Sequence, residues 1–183
     1  MPTPPRAAAA VALALTLLAG CERVPSGENR VSQPAMLAQR VGQTMLLVQY
    51  NRPSARGRVL FGGIVPFDSI WCPGADEGTR LETTHDLAIG GATLPAGGYS
   101  LWMLPRETGP WTLIFSREAD AYHVPYPGPE HDALRVEVLP GRGPPVETLS
   151  WSFPVATRAG AVLRFSWGDV LLDLPLRPRP RAR

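Results

Sequence analysis

The chain has 183 residues, with 18 basic side chains, all of them arginine, against 16 acids, for a formal charge of +2, and two cysteines. That is the length of one domain rather than two, and too few cysteines for a disulfide-stapled scaffold. Setting aside Arg6 and the four arginines of the terminal RPRPRAR leaves 13 Arg against 16 acids, so the body is mildly acidic and does not carry the basic face that a nucleic-acid partner requires.

Residues 1–20 read as an export signal. Arg6 and the amino terminus make a positive start, and residues 7–18 are apolar except for Thr16, a run too short to span a bilayer as a helix of about 20 residues. The ending LAGC resembles the lipobox of bacterial lipoproteins, which implies cleavage before Cys21 and acylation of that cysteine. The alternative is an ordinary signal peptide that ends near a cysteine. Glu22 stands where an Asp would argue for inner-membrane retention, so the expected location is the cell envelope, anchored by lipid to the outer membrane. Residues 21–40 then form a polar tether, with a short helical run near residues 34–42. The tail, residues 177–183, reads as a disordered Arg/Pro extension, either solvated or touching anionic headgroups.

Between tether and tail, residues 41–176 repeat with a period of two. In TLSWSF, Leu149, Trp151 and Phe153 alternate with polar neighbours, and in AVLRFSW, Ala161, Leu163, Phe165 and Trp167 do the same. Such alternation describes strands with one wet and one buried face. Gly90 and Gly91 in AIGGAT supply the positive φ angles of a two-residue hairpin, and LPAGG, RETGP and PGRGPP punctuate further strands. Seven to nine short strands predict an all-β fold: a single antiparallel β-sandwich, jelly-roll-like, whose core includes Trp151, Phe153, Phe165 and Trp167.

The stretches YNRPSARGRVLFGGIVPFDSIWCPGADEGTRLE, LAIGGATLPAGGYSLWMLP, WTLIFS and ALRVEV resemble a bacterial envelope family, the domain-of-unknown-function family 2911, over residues 48–176. The resemblance is carried by Arg52, Pro53 and Ser54, by Gly57 and Arg58, by Phe61, Gly62 and Gly63, by Trp71, and by Glu77 and the LPAG turn. This chain departs from the pattern at Cys72, Pro73 and Asp76. The resemblance implies fold and envelope location, and no activity.

The chemistry-bearing residues leave two function classes. One is a lipid-anchored binding or scaffold module for a small molecule or glycan, in which Trp71, Tyr122 and Tyr126 offer aromatic faces and Arg52, Arg58, Asp76, Glu77 and His123 offer directional hydrogen bonds. The other is an envelope hydrolase acting on glycans or esters, which needs Asp76, Glu77 and His123 to converge. Against both stands a structural reading, in which Trp71 plugs the sandwich and an arginine pairs with Glu77 inside a turn network. Because neighbours on an extended chain point opposite ways, Glu77 is expected to face inward toward Arg52 or Arg58, and Asp76 outward. Cys72, with acids nearby and no base in sequence, reads as a space-filler rather than a nucleophile. His85, His123 and His131 lack the short spacings of a preorganised site, so no metal and no cofactor is expected.

Overall fold

The computed structural model describes residues 31–179. The expected signal peptide, Cys21 and residues 180–183 of the tail therefore lie outside the described residues. In chain order the strands are β1 (Gln33–Val41), β2 (Thr44–Arg52), β3 (Arg80–Thr83), β4 (Leu87–Ile89), β5 (Ala92–Leu94), β6 (Gly97–Leu104), β7 (Trp111–Ser116), β8 (Asp132–Val138), β9 (Gly141–Ala156) and β10 (Ala161–Pro178). One antiparallel sheet runs β1-β2-β3-β6-β7-β8 and the other β5-β4-β10-β9. Helical structure among the described residues is confined to a 3-10 turn at Pro129–His131. The two-sheet sandwich read from the sequence is the fold, with ten strands among the described residues rather than seven to nine.

The first strand corrects two expectations. Residues 34–41 are extended rather than helical, and the folded sheet begins at Gln33 rather than at residue 41, because β1 pairs with β2 from Gln33↔Arg52 to Val41↔Thr44. Its period of two is hidden in the sequence by Met36, an apolar residue on the wet face, while Ala35 and Leu37 face the core. At the other end β10 runs to Pro178, past the boundary drawn at residue 177.

The hairpin at Gly90 and Gly91 is as the sequence requires. Both residues have positive φ, 57° and 86°, and Ile89 pairs directly with Ala92 across them, the geometry of a primed two-residue turn. Trp151, Phe165 and Trp167 are buried between the sheets. Phe153 is only half-buried, because it lies toward the outer end of the β9–β10 hairpin, where the register slips between Val162 and Arg164.

β6 and β7 are buried on both faces. Leu101, Met103, Leu113 and Phe115 enter the main core. Trp102 and Ile114 point to the outer face, where Cys72 joins them and Ile70, Ala121 and Tyr126 pack against the cluster. The segments around Cys72 and Ala121 therefore lie over the outside of the six-stranded sheet. That placement builds the site.

Candidate functional site

The WCPGADEGTR segment leaves the sheet at Trp71 and returns at Arg80. Trp71 exchanges two backbone hydrogen bonds of 2.8 Å with Met103. Its ring stacks on Trp167, with centroids 5.8 Å apart, and meets Phe61 and Phe165 edge-on. Of the two sequence readings of Trp71, a face for a ligand or a plug of the sandwich, these contacts are those of the plug.

Cys72 is 2% exposed, and its Sγ accepts a 3.3 Å hydrogen bond from the Thr79 N–H. Burial pushes its thiol up from 9.0 to about 11, against the opposing pull of Thr79, so it is a protonated filler and no nucleophile near neutral pH. A consequence follows for alkaline stability. The unfolded chain releases this proton near 9, whereas the folded chain holds it to about 11. The unfolded state therefore gains from rising pH and stability falls across that window, by up to about 1.4 kcal/mol per pH unit. Urea unfolding at about pH 8 and about pH 10 should show a larger loss for the wild type than for Cys72→Ala.

Asp76 has a φ of 60°, which turns the chain so that simple strand alternation no longer applies. One of its carboxylate oxygens, Oδ2, is buried without a hydrogen-bond partner from the protein; the outward Asp76 expected from sequence is not what the turn allows. Its backbone carbonyl accepts a hydrogen bond from His123 Nδ1. A carbonyl only accepts, so this contact fixes the proton on Nδ1. His123 thus secures one loop to the other through backbone, and it engages Asp76 by its carbonyl rather than by its carboxylate.

Glu77 pairs with Tyr122 in an isolated antiparallel bridge. Its Oε2 accepts a 2.6 Å hydrogen bond from Asn51 Nδ2. Neither arginine expected to meet it is engaged there by these contacts: Arg52 donates from Nε to the Leu149 carbonyl at 3.3 Å, and Arg58 donates to the carbonyls of Ala55 and Ser54 at 2.9 and 2.7 Å. Arg58 lines a separate cavity of about 500 Å³ with Phe61, Trp111 and Trp167. Tyr126, the other aromatic candidate, lies edge-on to Trp102 at 5.4 Å. Its hydroxyl donates to Asp132 Oδ1 at 2.6 Å and accepts from Arg135 at 3.1 Å. Burial, with help from that Asp132 contact, pushes its phenol up to about 12, which suits a structural strut.

What the fold does bring together is a groove of about 510 Å³ beside Glu77. Pro34, Ala35 and Met36 of β1 form one side, Gln49, Tyr50 and Asn51 of β2 with Glu77, Gly78 and Arg80 form the floor, and residues 119–122 close the other side. Tyr122 is 56% exposed there. Arg80 pairs with Asp120 across the groove and sits 3.1 Å from Glu82, an ion pair bent too far to satisfy Nε as a hydrogen bond. Asn51 is 3% exposed, and its Oδ1 has no donor from the protein.

Of the eight sequence candidates, Glu77 and Tyr122 therefore line the groove, Asp76 and His123 brace the loop beside it, and Arg52, Arg58, Trp71 and Tyr126 serve elsewhere. Asn51, Arg80 and Asp120 were not foreseen. Asn51 had a signal: asparagine is depleted in strands, and here it directly follows a buried tyrosine in a strand that otherwise alternates.

The model of a family described as protein of unknown function (DUF2911) matches residues 32–176. No curated protein matches the chain, and no solved structure does.

Proposed function

The chain belongs to this DUF2911 family, and on that footing we propose that it is a lipid-anchored protein of the cell envelope that binds a small polyhydroxylated ligand, a glycan, in the groove beside Glu77. The observation that carries this reading is the pairing of a buried, donor-lacking Asn51 Oδ1 with an exposed aromatic ring, Tyr122, on one concave surface. A buried carbonyl oxygen with no partner costs on the order of 1–3 kcal/mol, and a ligand hydroxyl or amine would recover it. The tyrosine face suits the C–H side of a sugar ring, while Glu77, Arg80 and Asp120 supply planar groups for its hydroxyls.

The anchor rests on Cys21 and the apolar run before it. β1 begins twelve residues after Cys21 and contributes Pro34, Ala35 and Met36 to the groove, so the groove lies at the end of the domain where the tether joins. Cys21→Ser should move the protein from the membrane fraction to the soluble fraction and abolish acyl labelling. Persistence of a labelled acyl chain on that variant would end the lipoprotein reading.

The binding reading is tested by calorimetric titration of the purified protein with neutral and amino oligosaccharides. At least one should bind the wild type, and Tyr122→Ala should lose that binding by tenfold or more while melting within a few degrees of wild type, since an exposed side chain contributes little to stability. If no oligosaccharide binds, or if Tyr122→Ala binds as wild type does, the groove is not a glycan site.

A further inference from the structure

We propose that the end of the sandwich farthest from the tether is a docking surface for an anionic lipid bilayer. The β1–β2 and β9–β10 turns meet at that end: a Cβ added to Gly42 would stand 3.0 Å from the Arg158 carbonyl oxygen. A hollow of about 640 Å³ lies between them, lined by Arg40, Gly42 and Gln43 from one turn and Ala156, Thr157 and Arg158 from the other. No acid lines it. Arg177 joins the same end from β10, since its Cγ would lie 3.2 Å from a Cβ on Gly160. Several other arginines are matched by acids, as in the pairs Arg106–Asp68, Arg142–Asp169 and Arg164–Asp173. Arg40, Arg158 and Arg177 are exposed and have no such partner among the described residues; Arg40 Nε donates only to the Gly42 carbonyl, at 3.2 Å. Asp86, in the neighbouring β3–β4 turn, accepts from the Ala96 N–H at 2.8 Å, and Arg179 stands beside it, its N–H on the Asp86 carbonyl at 2.7 Å. A body with fewer arginines than acids thus carries one uncompensated positive end.

Charge alone suits any polyanion, and the apolar side chains here select the bilayer. Met45 pairs directly with Arg40 in the β1–β2 ladder and is 41% exposed. Val155, two residues before Thr157, is 54% exposed. Cations set around exposed apolar groups are what the headgroup boundary takes up, and each cation near an anionic surface raises partitioning by about fivefold. The proposal rests on the lipid-anchor reading only for the nearness of a bilayer. β1 carries the chain from the tether to this end over nine residues, about 30 Å at the rise of a strand. The twelve residues from Cys21 to Gln33 reach up to about 40 Å, so an anchored domain can lie over and set this end on the surface.

The test keeps the anchor out. The full chain carrying Cys21→Ser is sedimented with vesicles of phosphatidylcholine alone and of phosphatidylcholine mixed with phosphatidylglycerol. It should partition about tenfold or more better to the anionic vesicles, and added salt should erase the difference. Arg40→Ala combined with Arg158→Ala should lose about tenfold or more of that preference with the melting temperature held, since both side chains are exposed. If the chain shows no preference for anionic vesicles, or if the double variant keeps all of it, the docking surface is not here. If heparin binds with the same dependence on Arg40 and Arg158 while the vesicles do not, the partner is a soluble polyanion and the bilayer assignment falls. The anchor and the groove stand or fall separately, on acyl labelling and on oligosaccharide binding.

Discussion

Replacing Trp151 by Ala should lower the unfolding free energy by about 3–5 kcal/mol, the range for deleting a buried aromatic ring, and in a domain of this size that is a fall in melting temperature of roughly 6–20 °C. Trp151 is 5% exposed. Its ring meets Phe165 with centroids 5.3 Å apart, so truncation leaves a cavity between the two sheets. The indole also holds the WCPGADEGTR loop: Nε1 donates to the Pro73 carbonyl at 3.2 Å, and that oxygen would keep only the Thr79 hydroxyl, at 3.0 Å. Ser152, the next residue, is exposed and pairs with Arg164, so Ser152→Ala should change stability by about 0.5 kcal/mol or less. Chemical denaturation of the two variants beside wild type measures both. Equal losses would contradict the register that pairs Phe165 with Trp151.

The strands of the β9–β10 hairpin were legible because each has one wet and one dry face, and that difference is written in residue type. β1 was not, since Met36 places an apolar side chain on the wet face and erases the alternation that would have excluded a helix. β6 and β7 were legible as strands, but not as strands covered on both faces. That covering comes from the loops carrying Cys72 and Ala121, whose resting place is a long-range fact no local pattern encodes. The same limit governed the site. An aromatic side chain looks alike in sequence whether it walls a groove, as Tyr122 does, or plugs a core, as Trp71 does. The Glu77 partner was sought among arginines because charge suggests charge. The fold brings Asn51 to it, 26 residues earlier, from the face of β2 that alternation with Leu46, Val48 and Tyr50 would leave to solvent.

Gly78→Ala should dismantle the groove while leaving the sandwich standing. Gly78 lies between the Glu77–Tyr122 bridge and the return strand β3, and a Cβ added there would overlap the carbonyl oxygen of Ala121. The overlap is with backbone, so no rotamer change relieves it; residues 121–122 must move away from the floor. Overpacking of this kind costs about 1–3 kcal/mol, which in a domain of this size lowers the melting temperature by roughly 2–12 °C. The moved backbone carries Tyr122 with it, so the groove opens on the side where the ring should meet the ligand, and binding should be lost at temperatures where the variant is fully folded. Tyr122→Ala provides the contrast. It removes the ring without forcing the backbone, so it should lose binding with little change in melting. Backbone amide resonances of Ala121 and Tyr122 separate the two cases: they should shift strongly in Gly78→Ala, together with those of His123, because its ring is held on the Asp76 carbonyl of the facing loop. If Gly78→Ala melts with wild type and leaves those resonances in place, the two loops do not approach as closely as the bridge requires, and the groove loses the wall on which its ligand reading depends.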